Sequence, residues 1–80
     1  MEYSKTITVY GADWCSDCKR SKRVLDSRHI EYVWIDIDNN ASALETVKSL
    51  NQGKRVLPTI VFPDGDVLVE PTDSELSSKL

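Results

Sequence analysis

Several things are scarce in this sequence, and each scarcity excludes something. Among 80 residues there are two cysteines, one histidine, three glycines and three prolines. A small secreted domain held by disulfides carries many cysteines spread along the chain. Here both lie in TVYGADWCSDCKRSKRVL, residues 8–25, as Cys15 and Cys18. A bridge across so short a loop contributes only about 2 kcal/mol of loop entropy and cannot join distant parts of a fold. A zinc site needs four ligands, and beyond this pair the chain offers only His29. No apolar run nears the roughly 20 residues of a membrane span. The net charge is −3 and no basic stripe is interleaved with aromatics, so no nucleic-acid partner is expected. With no hydrophobic leader evident, the expectation is one cytoplasmic, monomeric domain over residues 1–80 with no bound metal.

What is present has a regular order. Thr6–Tyr10 (TITVY) is β-branched and alternating, the pattern of a strand, and Gly11 stops it. Residues 16–28 turn helical, with Cys18, Leu25 and the Ser21–Lys22 step on one face, Val24 and Arg28 flanking. Glu31–Ile37 alternates again as a second strand, in which Trp34 is expected to be structural. Asn39-Asn40 offers a cap for a helix over Ala41–Leu50, and Gly53 is expected to end it. The runs PTIVF and DVLVE flank Pro63-Asp64-Gly65 and predict a hairpin. Thr72 or Asp73 then caps a terminal helix expected to bury Leu76 and Leu80.

The order β-α-β-α-β-β-α is an α/β class pattern. A strand, helix and strand in succession form a right-handed parallel unit. The hairpin adds antiparallel strands, giving a mixed four-stranded sheet flanked by three helices. Such sheets carry their reactive groups beyond the carboxyl ends of the parallel strands. Cys15 and Cys18 fall there, between the first strand and the first helix.

A thiol attacks only as its thiolate. Ahead of a helix, Cys15 meets orphan backbone N–H groups and the positive end of the helix dipole, which favour its anion. Cys18, one turn in, is expected to be the more buried, resolving thiol. Asp17 between them opposes thiolate formation by like-charge repulsion. Lys19, Arg20 and Lys54 or Arg55 carry the opposing sign. Half a zinc site, a structural disulfide and a pair of inert core cysteines are the competing readings. A Cys-x-x-Cys beside a β-α-β pattern favours redox use over all three.

At these residues the chain resembles a family. Trp14-Cys15-Ser16-Asp17-Cys18 after a strand, with Arg55-Val56-Leu57-Pro58 opening the third, is similar to glutaredoxins of the thioredoxin superfamily. The resemblance runs from Thr6 to Leu80 and is strongest to mycoredoxin-like members. It implies the thioredoxin/glutaredoxin fold and a thiol-disulfide oxidoreductase acting on protein or protein–small-thiol disulfides, with Cys15 nucleophile and Cys18 resolving. It further implies a cis bond before Pro58, facing Cys15, with the backbone of Val56 and Leu57 pairing with substrate. Arg55 would meet a substrate carboxylate. Thr72 and Asp73 would hold the end of a thiol cofactor, and Trp14 and Asp17 would border the substrate. Electrons would come from a low-molecular-weight thiol, glutathione or mycothiol, or from a flavin-dependent reductase.

The sequence also departs from that pattern. Ser16-Asp17 replaces the usual Pro-Tyr or Gly-Tyr, Val56-Leu57 the usual Thr-Val, and Glu70-Pro71 a glycine pair. The last change argues against a standard glutathione site. Two further readings therefore stand: a thioredoxin-like electron donor fed by thioredoxin reductase, and a module bridging a [2Fe–2S] cluster between two subunits.

Overall fold

The computed structural model describes residues 6–80; residues 1–5 of the expected domain lie outside the described part. The chain runs β1 (Ile7–Gly11), α1 (Ser16–Ser27), β2 (Tyr32–Asp36), a 3-10 turn (Ile37–Asn39) and α2 (Ala41–Leu50). It continues through β3 (Thr59–Val61), β4 (Val67–Val69) and α3 (Asp73–Lys79). The strand order is β2-β1-β3-β4. β1 lies parallel to β2, with Val9 opposite Trp34, and antiparallel to β3, with Val9 opposite Ile60. β3 and β4 are antiparallel. The expected mixed four-stranded sheet with three helices is what forms.

Alternation along β1 decides which side chain goes where. Ile7 and Val9 join Leu25, Ile60, Phe62 and Leu76 in the core under α1 and α3. Tyr10, Ile35 and Leu44 instead pack on Ala43 and Val47, the cluster that α2 closes. Leu25 and Leu76 are fully buried; each contributes about 1.5–3 kcal/mol of apolar burial. Ion pairs add ties at the periphery. Lys79 reaches Asp64 at 2.6 Å and Asp66 at 2.5 Å, pinning α3 to the β3–β4 turn. The Tyr32 hydroxyl donates to Asp26 at 3.0 Å, tying the end of α1 to β2.

Several local expectations need correction. Leu80 is 37% exposed, because α3 ends at Lys79 and the last residue has left the helical face. Arg28 does not flank the buried face but is exposed as the C-cap of α1. α2 is capped by Asn51, after which Gln52 takes the left-handed region (φ 59) and Gly53 (φ 89) closes the stop by donating its N–H to the Lys48 carbonyl at 2.7 Å. Gly53 thus ends the helix together with Gln52 and not alone. The 3-10 turn was not foreseen; the Asp36 carboxylate makes it by accepting from the Asp38 N–H at 2.9 Å.

Candidate active site

β1 ends at Gly11, and the chain crosses the sheet edge through Ala12, Asp13 and Trp14 before α1 begins. Cys15 is the N-cap of α1: its sulfur accepts the Cys18 backbone N–H at 3.1 Å. An oxygen side chain normally takes that place. Here a sulfur does, so an orphan donor of the helix is aimed at the thiol. Both thiols are free.

The two sulfurs differ in environment. Cys15 is 8% exposed and lines a cavity of about 490 Å³; Cys18 is 0% exposed. Burial pushes the Cys18 thiol up to about 12 from 9.0, helped by its hydrogen bond with Cys15 and by the charges of Cys15 and Asp17, while a backbone hydrogen bond with Ala12 works the other way. Cys18 is therefore a protonated thiol across the physiological range. Behind it stands Gly11. A Cβ placed there would lie 2.5 Å from the Trp34 ring and 2.8 Å from Cys18 Sγ, so only glycine lets the sulfur sit against the sheet.

Across the cavity lies the loop before β3. The Leu57–Pro58 bond is cis, and Pro58 is fully buried. A small polar network fixes this loop. Buried Thr59 donates through Oγ1 to the Val56 carbonyl at 2.7 Å and accepts from Asn51 Nδ2 at 3.1 Å; the same Asn51 nitrogen donates to the Val47 carbonyl at 2.8 Å. The end of α2 thus holds the backbone that faces Cys15.

Trp14, Cys15, Asp17, Arg55, Val56 and Leu57, all expected from the sequence, line this one cavity together with Ser16 and Glu70. Trp14 is 60% exposed, and its Nε1 donates to Asp38 at 2.7 Å. The Arg55 guanidinium lies over the same ring, 5.7 Å from its centre, a cation–π contact. Arg20 pairs Asp17 at 3.4 Å and Asp73 at 3.2 Å, making it the counter-charge of Asp17; Lys19 and Lys54 have no ion pair among the described residues.

Thr72 and Asp73 are not brought to the cavity. The Thr72 side chain accepts from the Glu75 N–H at 3.0 Å, and Glu75 accepts from the Thr72 N–H at 2.8 Å, a closed capping box.

Two residues shape the site that the sequence had not placed in it, Asp38 and Glu70, the latter noted only as a departure from the family pattern. Asp38 holds the Trp14 indole, and its only sequence signal was an acid heading three polar residues after a strand. Glu70 holds a backbone φ of 47°, a left-handed conformation that costs a side-chain-bearing residue on the order of 1 kcal/mol. Its N–H donates to the Pro58 carbonyl at 2.9 Å, which fixes the turn there.

A reactive dithiol at a helix start, facing a cis-proline loop on a mixed sheet, defines a family, and comparison with known proteins names it. The glutaredoxin family model matches residues 7–68. The chain belongs to the glutaredoxin family. A Mycobacterium tuberculosis protein named as a glutaredoxin is 40% identical over 74 residues, covering 92% of this chain and 88% of its own. Mycoredoxin 1 of Corynebacterium glutamicum is 38% identical, with 92% and 91% covered. Among solved structures, the glutaredoxin-like NrdH-redoxin of Escherichia coli superposes with a TM-score of 0.78 at 25% identity, over 91% of this chain and 92% of that one. As a glutaredoxin, the chain is a thiol-disulfide oxidoreductase with a Cys15-x-x-Cys18 pair on a thioredoxin-like fold.

Proposed function

We propose that this glutaredoxin reduces mixed and protein disulfides with Cys15 as nucleophile and Cys18 as resolving thiol. The observation that carries the assignment of roles is the Cys18 N–H donated to Cys15 Sγ at the cavity, with the Cys18 thiol itself buried and protonated behind it. Cys15 thiolate attacks one substrate sulfur, forms a mixed disulfide and expels the other as a thiolate, which takes up a proton. Cys18 then loses its proton and attacks Cys15 Sγ, releasing the second substrate thiol and leaving a Cys15–Cys18 disulfide. Two electrons have passed from the protein to the substrate, and a small thiol or a flavin-dependent reductase returns them. The backbone of Val56 and Leu57, leading into the cis bond to buried Pro58, pairs with an incoming peptide, and Trp14 and Asp17 border it. Arg55, at the cavity edge, meets polar groups of the substrate. Thr72 and Asp73 stay outside this reading, because the capping box and Arg20 already occupy them.

The likeness to Mycoredoxin 1 favours mycothiol over glutathione as the small thiol, and the chain's activity belongs in the cytoplasm. A second reading, a dedicated protein electron donor, is favoured by the likeness to NrdH-redoxin, whose activity profile is described as thioredoxin-like. The occupied start of α3 fits it too, since a small thiol has no grip there.

The test is NADPH consumption with the oxidised protein, coupled in parallel to glutathione and its reductase, mycothiol and its reductase, and thioredoxin reductase alone. Turnover with mycothiol that is lost in Cys15→Ser is the expected result. On a mixed disulfide with mycothiol it survives Cys18→Ser, because free mycothiol then resolves the Cys15 mixed disulfide in place of Cys18. Turnover with thioredoxin reductase alone, requiring both cysteines, would establish the donor reading. Inactivity in all three would overturn both and send the search to a [2Fe–2S] cluster.

A further inference from the structure

The charges lining the cavity are not equally committed. Arg55 lies over the Trp14 ring and Asp17 is paired with Arg20. Glu70 is exposed and, among the described residues, its carboxylate has no hydrogen bond or ion pair. It also stands where a side chain is hard to keep, at φ 47. Residues without a Cβ, or Asn, take that conformation more readily. Arg55 keeps its positive charge over the Trp14 ring, so the cavity that Cys15 lines presents one unpaired charge of each sign, and Glu70 is the only negative one without a partner among the described residues.

We propose that Glu70 is a specificity-determining residue, selecting disulfides that carry a positive charge close to the sulfurs and disfavouring anionic thiols. This inference rests on the reductase reading above. It concerns the leaving and entering thiols alone, because the Glu70 carboxylate takes no part in the exchange of sulfurs. A substrate ammonium or guanidinium group entering the cavity gains an ion pair with Glu70. A carboxylate-bearing thiol meets like charge from both Glu70 and the attacking thiolate, with Arg55 the one opposing charge in the lining.

The test uses the reduced protein and three small disulfides of similar size in single turnover, so that no recycling system intervenes. Cystamine is cationic, bis(2-hydroxyethyl) disulfide is neutral and 3,3′-dithiodipropionate is anionic. In each case protein dithiol and disulfide become protein disulfide and two small thiols. Because intrinsic reactivities differ among the three, the reading is the change in the cystamine-to-dithiodipropionate rate ratio on Glu70→Gln. That ratio falls by about threefold to tenfold at low salt. The neutral probe stays within about twofold, and raising the salt shrinks the wild-type ratio. Glu70→Asn, which removes the charge and suits the backbone better, gives the same fall with a raised Tm. Glu45→Gln, at an exposed position on α2 outside the cavity, leaves the ratio unchanged. An unchanged ratio in both Glu70 variants overturns the inference while the reductase reading stands. Failure of the wild type to react with any of the three overturns the reductase reading, and the inference with it.

Discussion

The Trp14 indole N–H donates to the Asp38 carboxylate at 2.7 Å, across 24 residues of sequence. The most exposed large hydrophobic side chain of the described residues is thus fixed in place by the 3-10 turn after β2. With Arg55 over its face, the ring stands as a wall of the cavity.

Cutting that bond frees the wall. Asp38→Ala removes an exposed hydrogen bond worth about 0.5–1.5 kcal/mol. Global stability changes by less than about 1 kcal/mol, while kcat/KM for a protein disulfide falls by about twofold to fivefold. Fluorotryptophan NMR reads the cause: one of the two tryptophan resonances, that of Trp14, sharpens and that of Trp34 does not. Asp38→Asn keeps an acceptor and recovers much of the rate. Two unchanged resonances in Asp38→Ala would remove Asp38 from any role in positioning Trp14.

Cys18 makes the dithiol form sensitive to alkali. Its folded pKa of about 12 exceeds the 9.0 of an ordinary thiol. Between those values the unfolded chain has released this proton and the folded chain still holds it. The stabilising contribution is complete below pH 9 and is lost as pH rises toward 12. Denaturant titrations of the reduced protein should show the wild type losing up to about 1.4 kcal/mol per pH unit more than Cys18→Ser. Parallel pH dependences of the two proteins would contradict the buried, protonated thiol.

The Thr59 network predicts a coupling between a buried hydroxyl and substrate binding. Thr59→Val keeps the shape but leaves Asn51 Nδ2 and the Val56 carbonyl each short of a partner. The loss is about 1–3 kcal/mol of stability. If the hydroxyl positions the loop, amide exchange at Val56 and Leu57 quickens and KM for a peptide disulfide rises more than kcat falls. Thr59→Ser restores both.

The capping box separates a structural role from a binding role at Thr72. Thr72→Ala should lower stability by about 1 kcal/mol, and Thr72→Ser by a few tenths. Turnover through the small-thiol system stays within about twofold in both. A selective rise in KM for that thiol in Thr72→Ala would return Thr72 to the binding site.

Much of this was legible because it is local. Alternation in TITVY and EYVWIDI, the Asn40 cap and the Pro63-Asp64-Gly65 turn each depend on neighbours within a few residues, so the element order follows from the sequence. The cavity lining was legible for a different reason: Cys15, Asp17 and Trp14 are contiguous, and Arg55-Val56-Leu57 is one loop. The missed contributions cross the fold. Asp38 meets Trp14 only because β2 runs parallel to β1 and delivers both strand ends to one edge. Glu70 faces the cavity only because its N–H is held by the Pro58 carbonyl. Thr72 and Asp73 were placed by resemblance, and no local pattern reveals that Glu75 and Arg20 occupy them first.

Gly11 gives the pair of cysteines a direction. With the Trp34 ring and Cys18 Sγ both within 3 Å of where a side chain would begin, the inner sulfur has no free volume behind it. Any displacement that accompanies bridging must be taken up on the outer side, by Cys15 and its neighbours Trp14 and Ser16. Oxidation is then expected to move the surface that a partner touches more than the core. A reductase and a substrate could thereby tell a charged molecule from a spent one by contact alone.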